Sequence, residues 1–368
     1  MKYIKQLIEY LNGIRKIIKY INCRIILFTI SDRLIRYYFE AIQPEAFHKG
    51  RNKKNYLTLT YRPKSTKNIC KDAFAISIKE KIGIVIQGPI KSEDDFTYET
   101  IQLYKKIFPE ALLILSTWED EDKLTIEKLR TTGIKILLNK KFVKQGFINL
   151  NYQIVSTKAG IDFAKESGVG YLLKTRTDCR IYDGNSLNYL VSLLKLFKLS
   201  DDIKHQKQRI IAIDTYTHKY RPYSISDIVQ FGDIDDMQML WSVELDSSPR
   251  IEVAEFLNNC STYMDEVNSN LSEPYIIMRY LEKVHEPIKR TIKHYYEVLT
   301  KRFLIIDKEN LNLYWFKHNN WEQKWRQISV CEQDIIGQHL KFKDWFILYN
   351  YLDEIQNIDE GVLTRKIK

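Results

Sequence analysis

The chain has 368 residues, of which 44% are hydrophobic and 28% are charged, a composition typical of a globular protein with room for a large α/β domain and a smaller second part. Its five cysteines are widely spaced and never form a CxxC pair, which argues against a disulfide framework and against a zinc site. The motifs HExxH, GxSxG and the P-loop are absent, which disfavours zincins, α/β-hydrolases and Walker-type NTPases.

The net charge of +10 is concentrated in the first part of the chain. Residues 1–80 contain 17 Lys+Arg and 6 Asp+Glu, a net charge of +11, whereas residues 81–368 have a net charge of −1. An enzyme that acts on nucleic acid usually carries its basic residues on the domain that holds the chemistry, so we expect no nucleic-acid partner. The asymmetry predicts a basic N-terminal extension, residues 1–80, attached to a near-neutral catalytic body.

Apolar residues recur at helical spacing from Tyr3 to Ile25, with lysines and arginines largely on other faces. The pattern predicts an amphipathic basic helix. Charges interrupt every apolar run, so we expect neither a signal peptide nor a transmembrane helix. Two interpretations stay open: the helix binds an anionic membrane surface, or it packs on the body with its charges in water.

From Lys81 onward, short apolar runs alternate with helical patterns. The predicted strands are Ile82–Ile90, Ala111–Trp118, Ile134–Asn139 and the run that begins at Tyr171, and the predicted helices between them are Phe96–Phe108, Asp122–Thr131 and Leu150–Ser167. Asp95 is the expected cap of the first helix. This alternation with short connections predicts an α/β fold with a doubly wound, mostly parallel sheet.

Further elements follow in the second half of the chain. They are a strand Arg209–Thr217, an apolar segment Val229–Asp233, a helix through Trp241, a helix Pro274–Lys283, and strands Phe303–Asp307 and Leu313–Phe316. We expect a catalytic domain over residues 81–300 and a small C-terminal cap over residues 301–368. Four of the six tryptophans lie in that cap, where they predict a small core or an aromatic surface for a sugar.

The sequence YLLKTRTDCRIYD joins a buried strand to a cluster of charges at Lys174, Arg176, Asp178 and Arg180. Ligands of open α/β sheets bind outside the carboxyl ends of the strands, so a carboxylate between two guanidinium groups there suits a phosphate or a phosphate-bound metal. The alternative is a surface ion pair between Asp178 and one of the arginines.

Five motifs, IGIVIQGPI, ILSTW, LLKTRTDCRI, SDIVQFGDIDDMQMLW and SEPYIIMRYL, occur in the order and approximate spacing of the WavE lipopolysaccharide-synthesis family. The chain resembles this family over about residues 82 to 281. The family is similar to glycosyltransferases of the GT-A type. The resemblance implies a bacterial glycosyltransferase that uses a nucleotide-activated sugar to build lipopolysaccharide or capsule-like glycans.

Such a reaction needs a slot for the nucleotide, and two strand ends offer candidates. Gly88 lets the backbone approach a ligand closely, with Gln87 and Pro89 beside it, although Gly-Pro is also an ordinary turn that ends a strand. Trp118 could stack on the base while Glu119 or Asp120 hydrogen-bonds the ribose, although a tryptophan at a strand end is more often part of the core.

The diphosphate needs a counter-charge, and Asp178 is the best candidate ligand for Mn²⁺ or Mg²⁺. GT-A enzymes usually carry DxD at this position, whereas here the tripeptide is Arg176-Thr177-Asp178. The departure leaves an alternative without metal, in which Arg176 with Lys174 or Arg180 holds the phosphates directly.

An inverting transfer also needs a base for the acceptor hydroxyl. Glu273 in SEPYIIMRYL is our candidate, with the alternative that Ser272 or Glu273 only caps a helix. Asp227 precedes an apolar segment, where it could face the acceptor or orient Arg221. Asp235 and Asp236 open a helix and are expected to complement its dipole.

These observations predict a cytoplasmic, membrane-peripheral glycosyltransferase whose partners are a nucleotide-sugar donor, a glycan or glycolipid acceptor and an anionic membrane surface. A sugar nucleotidyltransferase is the second hypothesis, although QGPIKSEDD is poorer in glycine than a phosphate loop of that class. A third hypothesis is a protein without catalytic activity that binds nucleic acid or a membrane through residues 1–80.

Overall fold

A computed structural model describes residues 62–69, 79–141, 144–248, 260, 262–269, 271–318, 338–355 and 357–365. All of these except Arg62 belong to one compact unit, Pro63–Lys368. The predicted helix Tyr3–Ile25 and most of the predicted N-terminal extension lie outside the described residues. No helix in the described part of the chain has both the length and the apolar composition to cross a membrane.

The described strands form two sheets. In chain order they are β1 Ile82–Gln87, β2 Leu112–Trp118, β3 Lys135–Asn139, β4 Tyr171–Arg176, β5 Cys179–Ile181, β6 Ile210–Ile213, β7 Gln230–Asp233, β8 Phe303–Ile306 and β9 Leu313–Trp315. The large sheet has seven strands in the order β3-β2-β1-β4-β7-β6-β8, and β5 pairs with β9 in a small antiparallel sheet.

Helices connect most of these strands. In chain order they are α1 Phe96–Ile107, α2 Lys123–Arg130, α3 Leu150–Glu166, α4 Ser186–Leu196, α5 Ile234–Trp241, α6 Tyr263–Asn268, α7 Ser272–Lys283, α8 Ile292–Arg302 and α9 Phe342–Tyr351. The sequence patterns predict α1, α2 and α3 to within a few residues, whereas they do not single out α4, α6 or α8.

The large sheet is mostly parallel, as predicted. β1, β2, β3 and β4 pair in parallel, and so do β6 and β8. Parallel neighbours need a crossover connection, and α1, α2 and α3 supply it in the first half of the sheet. β7 is antiparallel to both β4 and β6, because the chain between β6 and β7 contains no crossover helix. The predicted fold class is therefore confirmed.

The middle of the sheet is buried on both faces. Every residue of β1 is buried, which explains why its sequence IGIVIQ does not alternate between apolar and polar residues. Helix α3 packs against β1 at Gly160, where an added Cβ would lie 2.4 Å from Cγ1 of Val85. Gly160 therefore permits this close approach between helix and strand.

The directions of the strands bring the segments that follow β1, β4 and β6 and the segment that precedes β7 to one edge of the sheet. β1, β4 and β6 run parallel and end at this edge, and the antiparallel β7 begins there. Candidate residues at the ends of β1 and β4 and before β7 therefore meet at the edge where α/β proteins bind ligands.

The C-terminal part contributes to both sheets. The predicted strand Phe303–Asp307 forms β8, which pairs with β6 in the large sheet, and Leu313–Phe316 forms β9 beside β5. The division into domains at residues 80 and 300 stays a prediction.

Neither of the two predicted helix caps makes a capping hydrogen bond. Asp95 occupies the position before α1, but its side chain makes no capping hydrogen bond and pairs instead with Lys128 at 2.7 Å. At α7 the residue before the helix is Leu271, and no side chain caps its start. Asp95 has a positive φ of 51°, which differs from the extended conformation of most capping residues.

Candidate functional site

The turn after β1 lies against the end of β4. The amide of Thr177 donates to the carbonyl of Gln87 at 3.0 Å, and the Thr177 hydroxyl donates to the carbonyl of Pro89 at 2.6 Å. Gly88 has a φ of +114°, a conformation that favours glycine, and an added Cβ would lie 3.2 Å from the Thr177 hydroxyl oxygen. The structure therefore brings Gln87-Gly88-Pro89 against Thr177, the residue between Arg176 and Asp178.

Arg176 and Asp178 form a two-pronged ion pair at this strand end. Nε of Arg176 donates to Oδ1 of Asp178 at 2.8 Å, and Nη2 donates to Oδ2 at 2.9 Å. Burial raises the pKa of Asp178, but the hydrogen bonds and positive charge of Arg176 outweigh it and hold that pKa at about 2. Asp178 is therefore ionised at neutral pH.

The end of strand β9 contacts this ion pair. The guanidinium carbon of Arg176 lies 5.6 Å from the ring centre of Trp315, and the amide of Phe316 donates to the carbonyl of Asp178 at 2.9 Å. Trp315 also opposes Cys179 in the register of the small sheet. The sequence patterns assign Trp315 to the C-terminal cap and give no signal of its place beside Arg176.

Lys174 lies beneath the site. Its side chain is fully buried, its Nζ donates to the backbone carbonyl of Asp227, and Nζ lies 4.7 Å from the ring centre of Trp241. Burial lowers the pKa of Lys174 to about 8 even though the charge of Asp227 raises it. In this structure Lys174 supports the chain before β7 and offers no exposed charge to a phosphate.

Glu273 and Asp227 bring two carboxylates together. Glu273 lies in the first turn of α7 and is half-buried, and Asp227 is buried, with its Oδ2 accepting from Nε2 of Gln153. Burial and the negative charge of Asp227 raise the pKa of Glu273 to about 7, although Arg221 and Arg176 oppose the rise. The structure thus brings Glu273, Asp227 and Arg176 into one electrostatic cluster.

Arg221 is part of the same neighbourhood but pairs with a different carboxylate. Its Nη2 lies 2.6 Å from Oε2 of Glu266 on α6. The carboxylate of Asp227 accepts a hydrogen bond from Gln153. The pairing of Arg221 with Glu266 and of Asp227 with Gln153 gives no support to the prediction that Asp227 orients Arg221, which stays untested.

Arg180 is directed away from the site. Its guanidinium donates to the carbonyl of Lys64 at 2.8 Å, to the carbonyl of Phe96 at 2.8 Å and to the hydroxyl of Thr100 at 2.9 Å. Its carbon also lies 4.2 Å from the ring centre of Phe96. Arg180 therefore holds the segment around Lys64 against α1, and its donors are already used within the protein.

Trp118 and Glu119 differ in exposure at the end of β2. Trp118 is only 3% exposed, and its ring centre lies 5.0 Å from that of Tyr152. Glu119 is exposed, and its amide donates to the carbonyl of Asn139 at 3.0 Å. A nucleotide base could reach the Trp118 ring only if neighbouring side chains moved. The base and ribose roles stay predictions.

The residues at this edge do not fit a metal site. Both carboxylate oxygens of Asp178 accept hydrogen bonds from Arg176. Throughout the described part of the chain, no group of three or more His, Cys, Asp or Glu side chains is placed to hold a metal ion. A hard cation normally takes several oxygen ligands, so one carboxylate already paired with a guanidinium is a poor donor set.

Several solved structures resemble the chain at low similarity. A mannosyltransferase from Pyrobaculum calidifontis in complex with GDP-Man and Mn²⁺ is 7% identical, with a TM-score of 0.30 over 63% of this chain and 72% of the other. A mannose-1-phosphate geranyltransferase from Thermus thermophilus is 11% identical, with a TM-score of 0.29 over 54% and 71%. A glycosyltransferase involved in glycosylation of the major capsid of PBCV-1 is 14% identical, with a TM-score of 0.25 over 44% and 65%.

These structural likenesses are too weak to carry an argument about substrate. No curated protein matches the chain in sequence. A match to a protein family is more informative, because it extends over residues 82–358 and includes both strand ends and the Glu273 segment. The chain belongs to the family described as WavE lipopolysaccharide synthesis.

Proposed function

We propose that this protein is a glycosyltransferase that moves a sugar from a nucleotide-sugar donor to a glycan or glycolipid acceptor in the synthesis of lipopolysaccharide. One observation carries the proposal. Two neighbouring carboxylates, Glu273 and the buried Asp227, share a cluster with Arg176 at the carboxyl edge of a mostly parallel sheet, and burial and the charge of Asp227 raise the pKa of Glu273 to about 7. A base titrating near neutral pH is well suited to accept a proton from a sugar hydroxyl.

In this proposal Glu273 is the general base. Its ionised form accepts the proton of the acceptor hydroxyl as that oxygen attacks the anomeric carbon. The negative charge of Asp227 makes this carboxylate a stronger base, since it raises the pKa of Glu273. The position of Glu273 in the first turn of α7 gives the ionised form some support from the helix N-terminus.

In this proposal the departing diphosphate binds beside the pair Arg176–Asp178. Nε and Nη2 of Arg176 bind Asp178, so Asp178 fixes the plane of the guanidinium. Arg176 then offers its remaining donors and its positive charge to the leaving group. The turn at Gly88 lies beside this pair and provides a close backbone approach for the nucleotide. We assign no step to a metal ion.

The acceptor and the location are part of the same proposal. The family description names lipopolysaccharide synthesis, which suggests a glycolipid acceptor; a capsule-type acceptor is the alternative. We place the protein in the cytoplasm at the inner face of the membrane, where residues 1–80 would contact anionic lipid through their net charge of +11.

The experiment that tests the proposal separates it from the nucleotidyltransferase hypothesis. The full chain is screened for thermal shifts with UDP, GDP, CDP and CMP, and is then assayed for hydrolysis or transfer from the nucleotide-sugars of the base that binds. We expect one nucleotide to stabilise the protein and its sugar derivative to be consumed. Release of pyrophosphate from a sugar 1-phosphate and a nucleoside triphosphate, without consumption of nucleotide-sugar, would overturn the proposal.

A further inference from the structure

Four aromatic side chains lie together beside the candidate site, and the proposed reaction does not use them. Their ring centres are 5.6 Å apart for Tyr216 and Trp315, 6.0 Å for Tyr216 and His339, and 5.3 Å for His218 and His339. We call Tyr216, His218, Trp315 and His339 the aromatic wall. His218 is buried, whereas the other three are half-buried and keep part of their surface accessible.

Three segments that are distant in sequence build this wall, namely the β6–β7 connection, β9 and the chain before α9. His218 and His339 form an antiparallel bridge, the amide of Leu340 donates to the carbonyl of Thr217 at 2.7 Å, and the amide of Lys219 donates to the carbonyl of Gln338 at 2.9 Å. Backbone hydrogen bonds thus hold the chain before α9 against the connection between β6 and β7. The wall is a fixed surface held by backbone hydrogen bonds.

Tyr216 has an unusual backbone conformation. Its φ is +67°, which residues with large side chains rarely adopt. The amide of Thr217 donates to the carbonyl of Asp214 at 2.8 Å, and the hydroxyl of Thr217 donates to the carbonyl of Ile213 at 2.7 Å, so the surrounding turn holds Tyr216 in place. Strained residues of this kind concentrate at ligand-binding sites, because the surrounding structure maintains them for their side-chain direction.

The wall continues directly into the candidate site. Trp315 belongs to the wall, its ring centre lies 5.6 Å from the guanidinium carbon of Arg176, and after Arg176 it also helps to lower the pKa of Asp178. Tyr216 and His218 belong to the β6–β7 connection, which also carries Asp227 and Arg221, two of the groups whose charges act on Glu273. The wall therefore lies on the side of the site that holds the proposed base.

We propose that the aromatic wall binds the pyranose ring of the acceptor sugar, with the apolar C–H face of the ring packed on Tyr216 and Trp315. The inference rests on the proposed function, because Glu273 marks the acceptor side only if it is the base. Aromatic surfaces bordered by a few polar groups are typical of small-molecule sites. Here Lys341, which pairs with the buried Asp214 and keeps part of its side chain exposed, borders the wall and offers a donor to a sugar hydroxyl.

Saturation-transfer NMR on the full chain tests the proposal. The probes are the methyl glycosides of glucose, galactose, mannose and N-acetylglucosamine, added with the nucleoside diphosphate that stabilises the protein. Tyr216→Asn removes the ring at a position where asparagine tolerates a positive φ, so the variant should fold. Tyr351→Asn, at an exposed residue of α9, is the matched control. His339→Leu is a second wall variant that leaves the Tyr216 backbone intact.

We expect at least one glycoside to bind the wild type and the Tyr351→Asn protein, and to bind both wall variants about tenfold more weakly, the scale of a lost aromatic contact. The thermal shift with nucleotide should be equal in all four proteins. Unchanged glycoside binding in the wall variants, or no glycoside binding while nucleotide binds, would overturn this inference alone. A loss confined to nucleotide-sugar affinity would assign the wall to the donor and also overturn it. Failure of every nucleotide to bind would overturn the proposed function, and this inference with it.

Discussion

Glu273 owes its raised pKa to two contributions from different parts of the chain. Burial at the start of α7 raises it, and so does the charge of Asp227, which lies before β7. The sequence identifies Glu273 through the motif SEPYIIMRYL, but the neighbouring carboxylate becomes visible only when the fold brings the two segments together. A pKa of about 7 was therefore not predictable from the motif.

Replacing Glu273 with glutamine is expected to cut turnover by about 10² to 10⁴-fold, since proton transfer from the acceptor is lost. In the wild type, activity should rise as pH increases through about 7, because only the ionised carboxylate accepts a proton. The measurement is turnover from pH 5 to 9 together with donor affinity, which should change little. Glu282→Gln, at an exposed residue of the same helix, is the control. Near-normal turnover would transfer the role of base to Asp227.

The same substitution is expected to stabilise the fold above pH 7. The pKa of Glu273 is raised from 4.5 to about 7 on folding, so the folded protein binds the extra proton and loses stability as pH rises through this window. Glutamine carries no charge, so the substitution removes this loss of unfolding free energy. We put the gain at about 1–3 kcal/mol after allowing for partial exposure of Glu273. Urea unfolding at pH 4.5 and pH 8 measures it. An equal effect of Glu273→Gln at both pH values would show that the carboxyl is not perturbed.

Arg176 and Arg180 show why spacing in the sequence alone predicts the roles of charged residues poorly. Both flank Asp178 in sequence, but β4 ends at Arg176 and β5 begins at Cys179, so the two arginines belong to different sheets. Arg176 binds Asp178, whereas Arg180 donates to the carbonyls of Lys64 and Phe96. The sequence predicts a phosphate role for both arginines, whereas in the structure Arg180 uses its donors to hold the segment around Lys64 against α1.

Substitutions in the pair Arg176–Asp178 separate two ways of holding the diphosphate. The residues fit a site without metal, so Arg176→Ala should abolish most turnover, Asp178→Asn should be milder, and EDTA should leave the wild type unchanged. The measurement is turnover of both variants with EDTA and with added Mn²⁺. Loss of wild-type activity in EDTA, restored by Mn²⁺ and absent in Asp178→Asn, would instead make Asp178 a metal ligand. Wild-type turnover in both folded variants would move the active site elsewhere.

The elements of the first half of the sheet were predictable because each has a strong local pattern. Buried strands such as β1 and β2 are continuous apolar runs, and α1 to α3 have helical periodicity. The strand predicted over Arg209–Thr217 is shorter in the structure, where β6 ends at Ile213 and a turn follows. The pairing of β5 with β9 depends on residues far apart in sequence, and local patterns do not encode it.

A substitution at Gly160 tests the close packing of helix α3 against strand β1. Alanine in a helix is normally more stable than glycine by about 1 kcal/mol. At Gly160 we expect the opposite, a loss of about 1–3 kcal/mol, because the added Cβ would lie 2.4 Å from Cγ1 of Val85. Urea unfolding of Gly160→Ala measures the sign. A double-mutant cycle with Val85→Ala should recover part of the loss, and strict additivity would contradict the contact.

At the scale of the whole molecule, the excess of positive charge and the candidate site lie in different parts of the chain. The excess of basic residues lies in residues 1–80, whereas the candidate site is formed by residues from β1 to β9. The sequence predicted this separation from composition alone. It did not predict that a short stretch before β1 attaches to the body: the hydroxyl of Tyr182 donates to the carbonyl of Pro63 at 2.8 Å, and the amide of Thr66 donates to Glu99 at 2.8 Å.

A truncation that tests the N-terminal segment must therefore keep these contacts. Removing residues 1–80 would also remove the carbonyl of Lys64 that Arg180 binds, whereas removing residues 1–62 leaves the compact unit Pro63–Lys368 whole. We expect the protein lacking residues 1–62 to lose salt-sensitive binding to vesicles with anionic lipid, because charge attraction to the surface is screened by salt. Its thermal shift with nucleotide should match that of the full chain. Vesicle sedimentation compares the binding of the two proteins at about 50 and 300 mM salt. Between these concentrations the Debye length shortens to below about 10 Å. Equal partition of the two proteins at low salt would contradict the membrane role, and loss of the nucleotide shift would show that the segment contributes to the site.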